Sequence, residues 1–361
     1  MQDKTADQSR MFANRLQKRF RHLKKWALRT GVQAWRLYDR DIPEIPLVLD
    51  FYGDCSALQD AVLSGALYKR PYEKDEEEED RWLSAMKESA APVLGIKPSN
   101  IFIKQREKQK GLSQYEKINS KKDARVEKIV SESAKDMDCG GLKFKVNLSD
   151  YLDTGLFIDR RLLRAMVRDA AKGKKVLNLF SYTGTFSVYA AAGGAVSTDS
   201  VDLSNTYLNW AKENFELNGF SAKIMKRRST TEDTENTEED KKSNYTNKLI
   251  KSDVLEFIKN AIKVKSRWDI IIVDPPAFSN SKKMTDDFDL NRDLTELLAQ
   301  CLKLLSPSGI IFVSVNLHRK APKAAELETA LKTRVTDLES KIEDEDFKGR
   351  KIPKAFLIDG N

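Results

Sequence analysis

The sequence predicts an α/β protein of two domains: a smaller α+β domain over residues 1–140 and a doubly wound, Rossmann-like parallel sheet over residues 141–361. Three observations predict this fold class. A chain of 361 residues is longer than one ordinary hydrophobic core requires. Strand-like and helix-like segments alternate after residue 141, which is typical of a parallel sheet. Before residue 140, short strand-like segments follow a long amphipathic helix.

The N-terminal domain begins with an amphipathic helix over residues 11–31. Its apolar residues recur at helical spacing from Phe12 to Ala27, and Gly31 provides a stop signal. Lysines and arginines occupy the other face, although an ordinary solvated helix has the same pattern. An acidic insertion is predicted near residues 73–80, ahead of a second helix. The strand-like segments of this domain are 34–39, 46–53 and 99–107.

The C-terminal domain contains six strand-like segments with amphipathic helices between them. A segment at 227–247 has almost no apolar residues and is interpreted as a disordered insertion between two strands. The six predicted strands are 176–181, 196–202, 249–253, 268–276, 309–316 and 355–358.

The charge of the chain indicates a polyanionic partner. The formal net charge is +8, but two acidic runs mask a more basic remainder. Residues 73–80 carry seven acids and one lysine, and residues 232–240 carry six acids. Without these runs, 62 basic residues stand against 42 acidic ones, which suits binding to nucleic acid. A charged surface that is merely solvated has the same composition.

Several function classes are disfavoured by the composition. No stretch is long and apolar enough to span a bilayer, and the first residues lack the apolar run of a signal peptide, so a cytoplasmic location is expected. Cys55, Cys139 and Cys301 are far apart with no CxxC spacing, and the only histidines are His22 and His318. We therefore expect no metal and no disulfide framework.

Ligands of open α/β sheets bind beyond the carboxyl ends of the strands, so strand ends are the places to seek function. Segment 178–186 turns through Gly184 into a helix, which lets a nucleotide-like ligand approach the backbone, but it is not GxGxxG. Asp202 ends the next strand and is placed to accept from ribose hydroxyls, or to cap the helix near Ser204. Asp253 can accept from an adenine amino group or cap its own helix.

The fourth informative strand end is the sequence DPPAF. Asp274 is followed by two prolines that cannot continue a strand ladder, and then by an aromatic ring. A glycine turn, two acids and DPPAF in this order resemble the class I S-adenosylmethionine-dependent methyltransferases, in which (D/N)PP(Y/F) lies beside the reactive methyl. The resemblance implies that Asp274 accepts from the edge of the target base. Pro275 and Pro276 would stiffen the backbone, and Phe278 would stack on the extracted ring.

Longer motifs are similar to one family in particular. REKQKG, VNLSDYLDTGLFIDRR, VLNLFSYTG, VDLSNTYLNWAKENFELNG and DPPAFSNSKKM resemble the 23S ribosomal RNA guanine-N7 methyltransferases that form the C-terminal half of a bacterial bifunctional enzyme. The resemblance implies S-adenosylmethionine as cofactor, 23S ribosomal RNA or a large-subunit precursor as substrate, and a guanine-N2 methyltransferase as partner. The cofactor-binding residues it suggests are Asp159, Arg161, Asn178, Phe180, Tyr182, Thr183, Gly184, Asp202, Leu203, Ser204, Asp253 and Asp274.

An RNA substrate gives the basic segments a role. Guanine N7 lies in the deep, narrow groove of an A-form helix, so the enzyme has to open the helix or flip the nucleotide. The helix at 11–31 and the basic cluster at 103–111 would hold the phosphates meanwhile. The predicted RNA-binding residues are Lys18, Arg19, Lys24, Lys25, Arg106, Lys108 and Lys110.

Alternative functions stay open on the sequence. Cytosine-C5 methylation requires a cysteine thiolate, whereas the strand after DPP continues as FVSVNLHRK and Cys301 falls in an apolar helical pattern. Methylation of an exocyclic amino group, at guanine N2 or adenine N6, also uses (D/N)PP(Y/F). A non-catalytic RNA-binding or remodelling protein that keeps the methyltransferase fold is the non-enzyme alternative. The complete set of Gly184, Asp202, Asp253 and Asp274 argues against it.

Overall fold

In a computed structural model of the 361-residue chain, the described residues are 4–70, 72, 75–106, 126–132, 141–151, 153–225, 246–276, 278–279, 288–317 and 321–360. The chain forms two compact units. The first comprises Met1–Thr154 with Glu345–Lys348, and the second comprises Gly155–Asp344 with Gly349–Asn361.

The described part of the first unit is an α+β arrangement. Its helices are α1 (Lys4–Thr30) and α2 (Glu76–Leu94), and its strands are β1 (Ala34–Asp39), β2 (Leu47–Tyr52), β3 (Val62–Tyr68), β4 (Ile101–Arg106), β5 (Glu127–Glu132) and β6 (Leu142–Asn147). One sheet has the order β1-β2-β3-β4, in which β3 and β4 are parallel and the other pairs antiparallel. Strands β5 and β6 form an antiparallel pair. The predicted boundary at residue 140 would divide this pair, and the unit runs on to Thr154 instead.

Helix α1 begins earlier than predicted, at Lys4 instead of residue 11. The reason is that Gln8 is also buried, and its side-chain oxygen accepts a hydrogen bond of 2.7 Å from the indole of Trp82 in α2. The predicted apolar stripe from Phe12 to Ala27 is buried, as the helical spacing required.

The acidic insertion predicted near residues 73–80 stays a prediction, and its described residues belong to a helix. From Asp75 onward it starts α2, and the Asp75 carboxylate accepts from the backbone N–H of Glu78 at 3.3 Å. Four glutamates then occupy the first turn, where negative charge complements the helix dipole. One of them, Glu79, pairs with the buried Arg70 at 2.9 Å.

The described part of the second unit alternates strands and helices. Its helices are α3 (Arg161–Ala170), α4 (Thr185–Ala192), α5 (Asn205–Leu217), α6 (Val254–Lys263), α7 (Leu290–Leu302), α8 (Ala324–Leu331) and α9 (Glu339–Ile342). Its strands are β7 (Lys175–Leu179), β8 (Ser197–Asp202), β9 (Ala222–Met225), β10 (Asn247–Lys251), β11 (Trp268–Val273), β12 (Phe278–Ser279), β13 (Phe288–Asp289), β14 (Leu305–Val315), β15 (Val335–Asp337) and β16 (Lys354–Asp359).

Eight of these strands form one sheet with the order β15-β16-β14-β11-β7-β8-β10-β9. The six strands from β14 to β9 are parallel to one another, and β16 runs antiparallel to both β14 and β15. The predicted doubly wound parallel sheet is confirmed. Helices α6, α7 and α8 contribute to one hydrophobic core together with the central strands.

The six predicted strands correspond to β7, β8, β10, β11, β14 and β16. Strands β7 and β11 end at Leu179 and Val273, so the FSYTG and DPP segments lie just beyond them. Most of the predicted insertion at 227–247 lies outside the described residues, which resume before β10 at Asn247. Over the described ranges, no helix has the length and apolarity to cross a membrane.

Candidate functional site

The strand order places a crevice at one position in the sheet. Strands β8 and β10 follow on one side of β7, whereas β11 and β14 lie on its other side. In such sheets the connections on the two sides of this switch point diverge and leave a ligand-binding crevice at the carboxyl ends of the strands. Here those ends are the turn after β7 and the DPP segment after β11.

The turn after β7 has an unusual backbone. Phe180, Tyr182 and Gly184 have φ angles of 57°, 49° and 72°, in the left-handed region that non-glycine residues rarely adopt. Backbone strain of this kind clusters at functional sites. Gly184 is required twice, because a Cβ there would also lie 2.7 Å from the Cβ of Ala211 in α5. A side chain at this position would push α5 away from the turn.

Buried hydrogen bonds hold this turn in place. The hydroxyl of Thr183 donates to the backbone oxygen of Gly155 at 2.6 Å, and the side-chain amide of Asn214 donates to the backbone oxygen of Thr183 at 2.9 Å. Gly155 has a φ of 90°, and a Cβ on it would meet the ring of Trp210 at 2.2 Å. The loop before α3, the turn and α5 are therefore locked together.

Asn178, a predicted cofactor residue, is buried beneath the turn. Its amide donates to the hydroxyl of Ser187 at 2.9 Å, which also bonds the hydroxyl of Ser200 at 2.7 Å. Asn178 therefore supports the strand end from below. By contrast, the hydroxyl of Ser181 within the turn is buried and has no hydrogen-bond partner among the described residues.

Asp202 connects the end of β8 to the turn. Its two carboxylate oxygens accept from the backbone N–H groups of Tyr182 and Ser204, each at 2.9 Å. Burial raises the pKa of Asp202 to about 6, even though these donors act in the opposite direction. The cap of α5 is Ser204, whose hydroxyl accepts from the N–H of Tyr207 at 3.4 Å. Asp202 is thus not the residue that caps this helix, and a carboxylate keeps further lone pairs for a ligand.

Asp253 follows β10 and is the N-cap of α6. Its Oδ1 accepts from the backbone N–H of Glu256 at 3.0 Å. Asp253 therefore caps the helix. Acceptance from an adenine amino group by its second carboxylate oxygen stays a prediction. Leu203, the remaining predicted cofactor residue on this side, is half-buried between Asp202 and Ser204.

The DPP segment after β11 is held by charges. The Oδ1 atom of half-buried Asp274 lies 3.4 Å from Nη2 of Arg160, and Nη1 of the same arginine lies 2.7 Å from Oδ2 of Asp159. Pro275 is buried and Pro276 half-buried. Phe278 lies in β12, and its side chain is outside the described part of the structure.

Sequence reasoning named Asp159 and Arg161 but missed Arg160. The structure shows that Arg161 forms an ion pair of 2.5 Å with Asp344, whereas Arg160 faces Asp274. A short 3-10 helix over Ile158–Arg160 precedes α3 and separates the directions of the two side chains. Nothing in the pair of adjacent arginines distinguishes them beforehand. A cofactor role for Arg161 stays a prediction.

The described cysteines are poor nucleophiles. Cys301 in α7 is fully buried, and burial raises the pKa of its thiol to about 12. Burial likewise raises the pKa of Cys55 to about 11. Cys139 lies outside the described residues. Within the described ranges, no cluster of histidine, cysteine or acidic side chains is suited to hold a metal ion.

The four basic residues predicted on α1 fall into two groups. Lys18 and Lys25 are exposed. Arg19 donates to backbone oxygens of Leu37 and Asp346, and Lys24 lies 5.7 Å from the ring centre of Phe20.

Two further basic residues of α1 were missed by the sequence analysis. Arg21 and Arg29 are exposed and recur at helical spacing with Lys18 and Lys25. We call Lys18, Arg21, Lys25 and Arg29 the α1 basic stripe. In the second predicted cluster, Lys108, Lys110 and the side chain of Arg106 lie outside the described residues.

Comparisons with known proteins show the family of this chain. A sequence profile of the S-adenosylmethionine-dependent methyltransferases matches residues 108–230. The chain is 43% identical over 347 residues to the ribosomal RNA large subunit methyltransferase K of Neisseria meningitidis, covering 96% of this chain and 86% of that protein. It is 40% identical over 337 residues to the ribosomal RNA large subunit methyltransferase K/L of Shewanella loihica, covering 93% of this chain but 41% of that protein.

Solved structures show the same fold. A SAM-dependent methyltransferase from Streptococcus mutans has a TM-score of 0.66 at 23% identity, and a methyltransferase complexed with SAH has a TM-score of 0.67 at 24% identity. Each comparison covers 97% of this chain and 81% of the other. The residues present here fit S-adenosylmethionine: a strained turn with an unpartnered buried hydroxyl at Ser181, and carboxylates at Asp202 and Asp253 that can accept from hydroxyl and amino groups.

Proposed function

From the premise that the chain belongs to the ribosomal RNA large subunit methyltransferase K family of S-adenosylmethionine-dependent methyltransferases, we propose that it methylates N7 of a guanine in 23S ribosomal RNA. The observation that carries the proposal is the Asp274–Arg160 pair beyond β11, at the switch point of the sheet. In the K/L relatives the matched region is only part of a longer protein, and a guanine-N2 methyltransferase partner belongs to this proposal as well.

The chemistry of N7 suits such a site. Bound S-adenosylmethionine supplies an electrophilic methyl group. The lone pair of guanine N7 forms a bond to this methyl carbon as the carbon–sulfur bond breaks. The electron pair of the broken bond stays on sulfur, and the guanine takes the positive charge. No proton leaves, so the site needs no general base and works by positioning. The carboxylate of Asp274 is an acceptor for the N1–H and amino donors of guanine, whose N7 lies on the opposite edge.

The alternatives fit less well. Cytosine-C5 methylation needs a thiolate, but Cys55 and Cys301 are buried with raised thiol pKa values. Methylation of an exocyclic amino group must release a proton, a step that the N7 reaction does not have. The N7 reaction asks the least of the side chains described at this position.

Nucleoside mass spectrometry of ribosomal RNA methylated by the purified protein tests the proposal. We expect 7-methylguanosine, formed without a covalent protein–RNA adduct, and the Asp274→Ala protein as the catalytically inactive control. Detection of 5-methylcytidine, 2-methylguanosine or 6-methyladenosine as the product would overturn the N7 assignment.

The α1 basic stripe is proposed to contact the phosphates of the RNA. Its four side chains are exposed, and neighbouring members are three or four residues apart on a 27-residue helix, so they form one row of positive charge. Arg19 and Lys24 are assigned a smaller part because both have contacts within the first unit. Each lost phosphate contact should reduce the slope of log affinity against log salt by about 0.7 to 0.9.

Neutralising the α1 basic stripe with four glutamines should therefore reduce the salt slope by roughly 3. Filter binding or fluorescence anisotropy at several salt concentrations measures it. A charge-matched control replaces four exposed lysines of the second unit, Lys172, Lys259, Lys263 and Lys265, and should change the slope less. Equal slopes for the two variants would mean that the stripe only keeps α1 solvated.

A further inference from the structure

Arg160 is a buried arginine that contacts two predicted site residues, Asp159 and Asp274. Its side chain is 8% exposed. Nη1 lies 2.7 Å from Asp159, in the 3-10 helix before α3, and Nη2 lies 3.4 Å from Asp274, beyond β11. The guanidinium also lies 5.0 Å from the ring centre of Phe157. One side chain thus bridges two segments that are far apart in the sequence.

The arrangement is costly for an arginine kept only for stability. Burying a guanidinium is unfavourable unless it is well paired. Burial lowers the pKa of the Arg160 guanidinium. The carboxylates of Asp159 and Asp274 act in the opposite direction and raise the pKa overall, so the group stays charged. Its Nε, however, is buried and has no hydrogen-bond partner among the described residues. An unpaired buried donor carries a free-energy penalty.

The neighbouring arginine has a different partner. Arg161 forms an ion pair of 2.5 Å with Asp344. Arg160 instead adopts φ −98° and ψ 4°, at the start of α3, a backbone region in which active-site residues are often found. The chain therefore turns two neighbouring arginines to different acids, and one of these acids is Asp274.

We infer that Arg160 is a positioning residue for methyl transfer: its guanidinium fixes the Asp274 carboxylate in the orientation that receives the target base. The inference rests on the proposed function, since it gives Asp274 its part in holding the base. The guanidinium is anchored by Asp159 at 2.7 Å, so the donor that meets Oδ1 of Asp274 at 3.4 Å has a fixed direction. The planar fork of arginine reaches two carboxylates at once, which the point charge of a lysine does not.

Loss of the contacts between Arg160, Asp159 and Asp274 should lower the rate of methyl transfer. A misplacement of about 1 Å in a positioned group can cost on the order of 10²-fold in rate. Arg160→Gln should therefore lower the single-turnover rate by on the order of 10²-fold. The affinity for S-adenosylmethionine should change far less. Arg160→Lys keeps the charge without the fork and should recover only a minor part of the rate.

A double-mutant cycle separates positioning from general destabilisation. Rates are measured for Arg160→Gln, Asp274→Asn and the combined variant, with thermal unfolding and cofactor titration for each. If Arg160 acts through Asp274, the combined variant is no slower than Asp274→Asn. If Arg160 is merely structural, the two losses in rate per total protein multiply. The rate per folded molecule of Arg160→Gln then matches wild type. Should Arg160→Gln fail to fold, the cycle is run with Arg160→Lys.

Arg168→Gln is the matched control. Arg168 is another arginine of the same segment, and it pairs with the neighbouring Asp169 instead of with the site. Its substitution should leave the single-turnover rate near wild type. The result is also separable from the proposed function, because the rates are read from methyl transfer to RNA whatever the modified atom. Multiplying losses with 7-methylguanosine as product overturn only the inference about Arg160, whereas coupled losses with a different product overturn only the N7 assignment.

Discussion

The two sides of the switch point are built by different means. Beyond β7 the turn at residues 180–184 is held through its own backbone, which has three positive φ angles. The N–H of Ser181 donates to the backbone oxygen of Val201, and the N–H of Tyr182 and the backbone oxygen of Thr183 bond the side chains of Asp202 and Asn214. Beyond β11 the DPP segment is held by side-chain charge, through Asp274 and Arg160. Backbone hydrogen bonds are fixed by the fold, whereas an ion pair depends on two individual side chains.

This difference predicts where substitutions act. The β7 side is preformed, so damage there should appear in folding stability and cofactor affinity. The β11 side orients one carboxylate, so damage there should appear in turnover. Two results would contradict this comparison. One is a β7-side variant that changes only turnover, and the other is a β11-side variant that changes only cofactor affinity.

The largest effect is expected for Asp274→Ala. Without the acceptor for the target base, methylation should fall by at least about 10²- to 10³-fold, as when one preorganised polar group is removed from an active site. Bulk affinity for ribosomal RNA should change little, since phosphate contacts supply most of it. Single-turnover methylation and RNA binding are compared in the same preparation. A parallel loss of both would show that Asp274 maintains the fold.

Gly184→Ala should be the most destabilising single change on the β7 side. The new Cβ would lie 2.7 Å from Ala211 in a conformation with φ 72°. Strain of this kind costs about 1–3 kcal/mol before the steric contact is counted. Denaturant unfolding measures the loss. Gly173→Ala is the control, because it shares a positive φ of 71° with nothing within 4 Å of the new Cβ. Equal losses would remove the packing argument.

Asp202→Ala should weaken S-adenosylmethionine binding while the protein still folds. The carboxylate is the described acceptor at the end of β8 and is already oriented by the backbone of Tyr182 and Ser204. Loss of a charged hydrogen-bonding group costs about 1.5–3 kcal/mol, or roughly 10- to 150-fold in affinity. Calorimetry checks this. Unchanged affinity would mean that Asp202 serves only to join β8 to the turn.

The raised pKa of Asp202 gives a pH test of the same residue. Its pKa rises from 3.8 to about 6 on folding, so the folded protein binds an extra proton between these values. The stability that this protonation contributes is present below pH 4 and is lost as the pH rises through about 6. Comparing wild type with Asp202→Asn isolates the contribution. Cofactor affinity should depend on pH in the opposite direction: it should fall as the pH drops below about 6, because the carboxylate becomes protonated.

The smallest effect on catalysis is expected for Cys301→Ser. Its thiol is fully buried in α7 and its pKa is raised to about 12 by burial, which makes it a poor nucleophile. Turnover per folded molecule should remain at the wild-type level, although a buried hydroxyl without a partner costs about 1–3 kcal/mol of stability. An enzyme that folds but no longer turns over would point to cytosine chemistry.

The sequence by itself determined the parallel sheet and the strand ends that carry polar residues. Alternating strand and helix patterns are local in the chain, and Gly184, Asp202, Asp253 and Asp274 each lie at or shortly after the end of a predicted strand. The family was also readable from long motifs whose order along the chain needs no coordinates. The position of the site follows from the same information, because parallel strands bring their carboxyl ends to one edge.

Only the tertiary structure decided which side chains meet. It turned Arg160 to Asp274 and Arg161 to Asp344, although the two are adjacent in the sequence. It also separated exposed Lys18 from Arg19, which bonds backbone oxygens of its own unit. The physical reason is that pairing depends on long-range distances set by packing, whereas composition and periodicity report only on the local backbone and on the burial of each face.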